Sequence, residues 1–165
     1  MQDYTQQSGD VFHKLSPFAY SFDMNEEARW KIINGLDEEM LMGGVILSEW
    51  CSCIVREADL ALVKGANLAS ILTAMAGVET YLRYEYAKTR NERFCDLIDM
   101  AQLDPKLMEV LHQLRKYRNK WVHVNDPWND TDILEHPEQY EQELEEMALL
   151  ATRTLRQILY ENQWV

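Results

Sequence analysis

The sequence predicts an all-α fold, an up-and-down bundle of about five to six helices. Apolar residues recur every three to four positions over long stretches, and no stretch alternates between apolar and polar residues as a β-strand does. Residues typical of helix starts and stops separate these stretches, and only four Pro and six Gly interrupt 165 residues. The length fits one domain, which we expect over residues 25–165 after a lead-in over residues 1–24.

The first two helices are predicted from acidic N-termini and from glycine. Asn25 is the expected N-cap of the first helix, because two glutamates and an apolar-periodic segment follow it. Gly35 and Asp37 are expected to end this helix. A second helix would then run from Asp37 to Lys64, with Gly43-Gly44 bending it or delaying its start.

Start signals predict four further helices along the rest of the chain. Gly65 is the expected stop of the second helix, and Asn67 is the expected cap of the third. Asn91 opens a shorter fourth helix. Asp104-Pro105 combines an N-cap with proline at the first helical position and so starts the fifth. The sixth is expected from about Pro137 to Glu161.

For three groups of side chains, the sequence predicts whether they are buried or exposed. Ile46 and Trp50 belong to the predicted apolar stripe of the second helix. Trp128 lies in the loop NDPWND, where it either packs on the core or frames a cleft; packing is the expected role. The last helix carries five glutamates that we expect to form a solvated surface. These are Glu138, Glu141, Glu143, Glu145 and Glu146.

Composition limits the functional classes. The formal net charge of −12 argues against a protein that coats nucleic acid, although a local basic site is compatible with it. No apolar run reaches eighteen residues, so no membrane partner is expected. The segment MQDYTQQSGD lacks the basic and apolar regions of a secretory signal. The three cysteines are expected to be reduced thiols, so we predict a cytoplasmic protein.

The sequence predicts neither a metal site nor a cofactor. Glu109 and His112 have the Glu-x-x-His spacing of di-iron bundles, but such bundles need two of these motifs and the chain has one. Cys51 and Cys53 lack the second pair that a zinc site would require. No glycine-rich phosphate loop is present in the sequence.

The segment RKYRNKWVH, residues 115–123, concentrates four cations beside a histidine in an acidic chain. It lies at the end of the fifth helix, which is expected to stop near Asn125-Asp126-Pro127. Asn119 and His123 are four residues apart and would share a helix face, so Asn119 could hold one nitrogen of the imidazole. Arg118 is five residues from His123 and needs its long side chain, or a frayed last turn, to reach it.

An arginine and a histidine without metal ligands suit the cleavage of RNA at its 2′-hydroxyl. The histidine can take or give a proton near neutral pH. The arginine can bind phosphate through two donors and stabilise the charge of the transition state. Further cations of the segment are candidates for sequence-independent contacts to flanking phosphates. They are Arg115, Lys116 and Lys120.

A purely structural role also explains the segment. In that interpretation, Tyr117, Trp121 and Val122 pack against the core, while the cations lie in water and complement the C-terminus of the helix. His123 would then cap the helix. The residues alone leave both interpretations open.

A long helix that ends in RNKWVH, followed by a final helix in an all-α chain of this size, resembles the HEPN superfamily. Its members carry an Arg, commonly followed by Asn, and a His four to six residues after the Arg; here these are Arg118, Asn119 and His123. Many members are metal-independent endoribonucleases of toxin–antitoxin, abortive-infection and other defence systems. They typically dimerise so that two motifs face one cleft. The resemblance covers about residues 37–161, and its specific part is the six-residue motif.

The resemblance also implies an acidic residue on an earlier helix facing the site, and Glu79 has such a position. The alternative for Glu79 is a surface ion pair with Arg83, four residues later. One branch of the family has a Tyr two residues after the His, which its nucleotidyltransferase antitoxin modifies. Asn125 stands there in this chain, so that antitoxin mechanism is not carried over.

The expected function is a HEPN-type endoribonuclease with Arg118 on the scissile phosphate, His123 as general base or acid, and Asn119 orienting His123. The expected partners are RNA, a second copy of the chain, and a cognate antitoxin or regulatory protein. The alternative is a catalytically inactive HEPN-like domain that binds RNA or a protein partner as a regulatory subunit. A helical adaptor unrelated to this family is a third interpretation.

Overall fold

The structure is a computed structural model that describes residues 24–128 and 131–164. Within them it is an all-α helical bundle, as predicted, with one isolated bridge between Gly44 and Trp164. The described part holds seven helices. They are α1 (Glu26–Met40), α2 (Glu49–Val63), α3 (Asn67–Tyr86), α4 (Phe94–Met100), α5 (Pro105–Val122), α6 (Thr131–Glu135) and α7 (Pro137–Leu159). The five-residue α6 was not predicted.

The N-terminus of α1 follows its local signal. The Asn25 side chain accepts a hydrogen bond from the Ala28 N–H at 2.9 Å, which confirms the predicted cap. The lead-in, and a turn expected over residues 18–22, lie almost entirely outside the described residues.

The predicted boundary between the first two helices is wrong. Helix α1 continues through Gly35 to Met40, and α2 begins only at Glu49, where the Ser48 hydroxyl accepts from the Cys51 N–H at 3.2 Å. Glycine inside a helix costs only about 0.5–1 kcal/mol. Burial of residues on both sides of Gly35, namely Ile33 and Leu36, outweighs that cost.

The junction between α2 and α3 is only partly as predicted. Gly65 has φ +71°, the left-handed conformation that favours glycine after a helix, so the predicted stop is confirmed. Asn67 is not the cap of α3; Ala66 holds that position without a side-chain hydrogen bond. The Asn67 side chain instead accepts from the Arg29 guanidinium at 3.1 Å. A partner from another helix has replaced the local capping contact.

Helix α3 lies at the centre of the bundle and packs against α2, α4, α5 and α7. Its buried stripe includes Ile71, Val78 and Leu82, which meet buried residues of α7. Gly77 allows the closest approach, because a Cβ there would lie 3.2 Å from the Leu155 Cδ1. These contacts fix α3 and α7, and α5 packs against both.

Two buried arginines join distant helices. Arg29 pairs with Glu145, although Glu145 was expected to lie on a solvated surface. Arg156 bonds to Asp37 at 2.7 Å and to Asp59 at 3.0 Å. A buried carboxylate needs a charged partner, and the arginine of α1 supplies it for Glu145. The other four glutamates of the group are exposed or half-exposed.

Within the described residues, none of the helices combines the length and the apolar character that crossing a membrane would require.

Candidate functional site

Helix α5 positions the RNKWVH motif at its C-terminal end. The helix starts as predicted, with the Asp104 carboxylate accepting from the Lys106 N–H at 2.9 Å and Pro105 in the first turn. Leu111 and Leu114 are buried and anchor the middle of the helix. The helix ends at Val122, a few residues earlier than expected, so the motif spans its last turn.

His123 is the C-cap residue and leaves the helix with φ −123° and ψ 69°. Its backbone N–H still donates to the Asn119 carbonyl at 2.9 Å. Its imidazole is exposed and makes no hydrogen bond within the described residues. Because the backbone leaves the helix at His123, the four-residue spacing no longer sets both side chains on one helical face.

The Asn119 side chain is held by Arg118 in this conformation. The Arg118 Nη1 donates to the Asn119 Oδ1 at 3.3 Å, and both residues are half-buried. The expected hydrogen bond from Asn119 to the His123 ring is not made within the described part of the chain. Within the described residues, the motif therefore has an arginine–asparagine pair and an exposed imidazole that is not hydrogen-bonded to it.

Lys120 lies over a cluster of aromatic rings. Its ammonium is 5.7 Å from the ring centre of Tyr117, 5.5 Å from that of Trp121 and 5.3 Å from that of Tyr140. It also lies 3.8 Å from the Glu143 carboxylate, with both side chains about half exposed. Helix α7 thus supplies two of the four groups around a lysine expected to bind phosphate.

Tyr117 and Trp121 pack edge to face, with ring centres 6.3 Å apart and planes inclined by 61°. Burial, and then the nearby Glu143 carboxylate, raises the pKa of the Tyr117 phenol well above its usual range. Both residues are only half-buried, so they form a flank of the bundle rather than its centre.

The remaining cations of the segment differ in exposure. Lys116 is exposed and free to meet a phosphate. Arg115 is half-buried, and its Nε is buried without a hydrogen-bond partner in the described residues.

Glu79 forms the ion pair with Arg83 that the sequence analysis gave as the alternative to a role in the site. Its carboxylate accepts from the Arg83 guanidinium at 2.9 Å, and Arg83 also donates to the Glu92 carbonyl at 3.0 Å. This contact holds the segment between α3 and α4 against the end of α3. Within the described residues, Glu79 makes no hydrogen bond to the motif.

Sequence reasoning missed an apolar segment beside the motif. Trp128, which was expected to pack on the core, is 90% exposed. Four further large apolar side chains are exposed between the last residue of α5 and the end of α6. They are Val122, Val124, Ile133 and Leu134. We call these five residues the motif-end patch; the sequence signal was the number of large apolar residues between Val122 and Leu134.

One groove of the bundle lies away from the motif. A groove of about 650 Å³ is lined by residues of α1, α3 and α7 and of the turn between α2 and α3, and by none of residues 115–123. The buried Arg29–Glu145 pair forms part of its wall. In a single chain, the motif is therefore not part of that groove.

His112 is the histidine of the Glu-x-x-His motif. Its Nε2 is hydrogen-bonded to the Asp99 carboxylate at 2.9 Å, which links α5 to α4. In residues 24–128 and 131–164, no three His, Cys, Asp or Glu side chains converge in a way that could hold a metal ion.

No protein-family model, curated protein or solved structure matches the chain. The resemblance to the HEPN superfamily therefore depends on the residues of α5 and on the helical fold.

Proposed function

We propose that the protein is a metal-independent endoribonuclease of HEPN type that acts in a toxin–antitoxin, abortive-infection or other defence system. The observation that carries the proposal is the imidazole of His123, which is exposed and makes no hydrogen bond within the described residues, on the last turn of the helix that also carries Arg118. An exposed histidine of this kind can reach a substrate, and an arginine from the same helix end can bind the substrate's phosphate.

The proposed reaction needs two proton transfers. One His123 takes the proton of the 2′-hydroxyl, whose oxygen attacks the adjacent phosphorus. The bond from phosphorus to the 5′-oxygen breaks, and a second histidine protonates that oxygen. The products are a 2′,3′-cyclic phosphate and a 5′-hydroxyl. Arg118 neutralises the non-bridging oxygens, where charge builds up in the transition state.

A two-fold dimer supplies the second histidine in this proposal. One chain offers a single motif with an exposed His123, and the exposed motif-end patch adjoins that motif along the chain. Large exposed apolar patches are typical of protein–protein contacts. A two-fold pairing through this patch would place both motifs in one cleft and bury Trp128 and Leu134.

Lys116, Arg115 and Lys120 would hold the flanking phosphates, with Lys120 leaving its aromatic neighbours to do so. Asn119 would turn from Arg118 to the imidazole when Arg118 engages phosphate. The changes at Lys120 and Asn119 are rotations of an exposed and a half-buried side chain.

One observation favours the inactive, regulatory alternative. Glu143 lies beside Lys120, and other glutamates of α7 are exposed, so α7 offers RNA an unfavourable charge next to the motif. An inactive HEPN-like domain that binds a basic protein partner would tolerate this arrangement. Cleavage assays separate the two functions.

The test is cleavage of a fluorescent single-stranded RNA by the purified chain in EDTA. Cleavage that leaves a 2′,3′-cyclic phosphate, resists 2′-deoxy substitution at the cut site and disappears in His123→Ala supports the proposal. His136→Ala is the matched control, because His136 is an exposed histidine that makes no side-chain capping bond. Strict dependence on Mg²⁺ with 5′-phosphate products would overturn the mechanism.

A further inference from the structure

Five large apolar side chains are exposed together around the loop between α1 and α2. Trp50, Ile46 and Met42 are 78%, 74% and 72% exposed, and Leu41 and Trp164 are also exposed. Ile46 and Trp50 were expected to lie in an apolar core stripe. Groups of exposed large apolar side chains mark interaction sites on protein surfaces. We call these five residues the loop patch.

The loop that carries the patch is tied in place. Gly44 and Trp164 exchange backbone hydrogen bonds of 2.8 and 3.0 Å, and the Gln163 Oε1 accepts from the N–H groups of Met42 and Gly43. A Cβ on Gly44 would lie 2.5 Å from the Trp164 Cζ2, so the indole lies directly on this glycine. The apolar side chains are therefore held out of the core on an ordered backbone, which lowers the entropic cost of binding.

The surroundings of the loop patch are negative. Glu38, Glu49 and Glu161 are exposed and form no ion pair within the described residues. Helices α1 and α7 both end beside the patch, and the last turn of α1 carries no basic residue while the Arg156 of α7 is buried. The C-terminal ends of helices carry partial negative charge. A ligand of the patch must combine apolar side chains with positive charge.

We propose that the loop patch is a docking surface for a basic segment of a partner protein that carries aromatic or aliphatic anchors. Charge argues against two other occupants of the patch, a second copy of the chain and the chain's own residues 1–23. A second copy paired about a two-fold axis would bring the same three glutamates together. Residues 1–23 of the chain itself contain three Asp and one Lys, so they too are acidic.

This surface is separate from the RNKWVH motif. The loop patch adjoins the C-terminal end of α7, and the motif-end patch precedes its N-terminal end. The 23 residues of α7 span about 35 Å at a helical rise of 1.5 Å per residue. The proposal therefore does not depend on the ribonuclease function, and either can fail without the other.

The experiment selects ligands from a random peptide library displayed against the immobilised full chain, followed by affinity measurements on the enriched peptides. We expect enriched sequences that combine Lys or Arg with Trp, Phe or Leu. The double variant Ile46→Ser/Trp50→Ser should weaken their binding at least tenfold. The variant Glu38→Gln/Glu49→Gln should weaken it at least threefold at low salt and reduce its salt dependence.

The matched control is Leu60→Ser, which removes an exposed apolar side chain of α2 that belongs to neither patch and should leave peptide affinity unchanged. Because the substituted side chains are exposed, all variants should melt like the parent. The absence of enrichment, the selection of acidic peptides, or binding unaffected by the loop-patch variant would overturn the proposal. So would self-association, or binding to phosphatidylcholine vesicles, that Ile46→Ser/Trp50→Ser abolishes.

Discussion

At the scale of single residues, the motif divides into groups that reach a substrate and groups that support the helix. His123 and Lys116 are exposed, Arg118 and Asn119 are half-buried, and Trp121 packs against Tyr117. The exposure of each side chain therefore predicts whether its removal affects the reaction, RNA affinity or stability.

His123→Ala and Arg118→Ala should each abolish cleavage without unfolding the chain. Loss of general acid–base help typically lowers a rate by about 10² to 10⁴, so the effect on the single-turnover rate should be at least that large. Lys116→Ala should weaken RNA binding and reduce its salt dependence, because it removes only a phosphate contact. Fluorescence anisotropy and cleavage assays on the same RNA distinguish these outcomes.

Trp121→Ala tests the supporting role. Full burial of Trp makes its loss cost about 3–5 kcal/mol, and Trp121 is only half-buried, so we expect about 2 kcal/mol in urea denaturation. His123→Ala should leave the free energy of unfolding within about 0.5 kcal/mol of the parent. If His123→Ala destabilises the chain as much as Trp121→Ala and the parent cuts no RNA, the motif is only a packed helix end.

Alkaline pH tests the environment of Tyr160. Burial, and then the hydrogen bond that its hydroxyl donates to Asp37 at 2.6 Å, raises the pKa of this phenol well above its usual range. A pKa that is higher in the folded state means that the folded state holds the proton more tightly. The stabilisation is complete below the unfolded pKa of about 10 and is lost as pH rises above it.

Thermal melts between pH 8 and 11.5 should therefore show a steep alkaline loss of stability in the parent. Tyr160→Phe should melt lower than the parent at pH 8, because it lacks the bond to Asp37, but should lose less on going to pH 11.5. Tyr84→Phe is the control, because Tyr84 is 69% exposed and its removal should leave the parent's pH dependence intact.

At the scale of elements, two glycines with opposite roles test how the helices begin and end. Gly35 lies inside α1, and a Cβ added there would meet no other atom within 4 Å, whereas Gly65 has φ +71° after α2. Gly35→Ala should stabilise the chain by about 0.5–1 kcal/mol, because alanine loses less backbone entropy in a helix. Gly65→Ala should destabilise it by about 1–2 kcal/mol, because the left-handed conformation is strained for alanine.

Urea denaturation of these two variants provides the measurement. A destabilising Gly35→Ala would mean that α1 does end near residue 35, as the sequence alone suggested. Equal effects of the two substitutions would contradict the different backbone conformations of the two sites.

At the scale of the whole molecule, Arg156 joins three helices through its bonds to Asp37 and Asp59. Burial raises the pKa of the Asp59 carboxyl in spite of the arginine, so the pair keeps its charge at a cost in solvation. Arg156→Ala would leave Asp59 buried without its partner and should destabilise the chain by about 3 kcal/mol or more. Arg153→Ala removes an exposed pair with Glu39 and should cost under about 1 kcal/mol.

Oligomeric state tests the proposed cleft. The parent should run as a dimer in size-exclusion chromatography with light scattering at micromolar concentration, and Trp128→Ser/Leu134→Ser should shift it to a monomer and lower cleavage in parallel. Met42→Ser/Ile46→Ser, which removes exposed apolar side chains from the loop patch, is the control and should remain dimeric. A parent that stays monomeric yet cuts RNA would show that one chain suffices.

The sequence by itself determined the all-α class and most helix starts. The caps at Asn25 and Asp104, and the stop at Gly65, depend on backbone geometry and on hydrogen bonds to residues within about four positions, so local sequence specifies them. The placement of the RNKWVH motif at the end of a helix followed from the same signals. The assignment of that motif to ribonuclease chemistry stays a proposal.

Only the tertiary structure decided the features that depend on which helices pack together. Glu145 is buried because Arg29, 116 positions earlier in the chain, pairs with it, and the same arginine takes Asn67 away from its expected capping role. Trp50 and Trp128 are exposed, although their apolar character predicted burial. The hydrophobicity and charge of a side chain determine whether it is more stable buried or in water. The packing of distant helices determines which of these environments it receives.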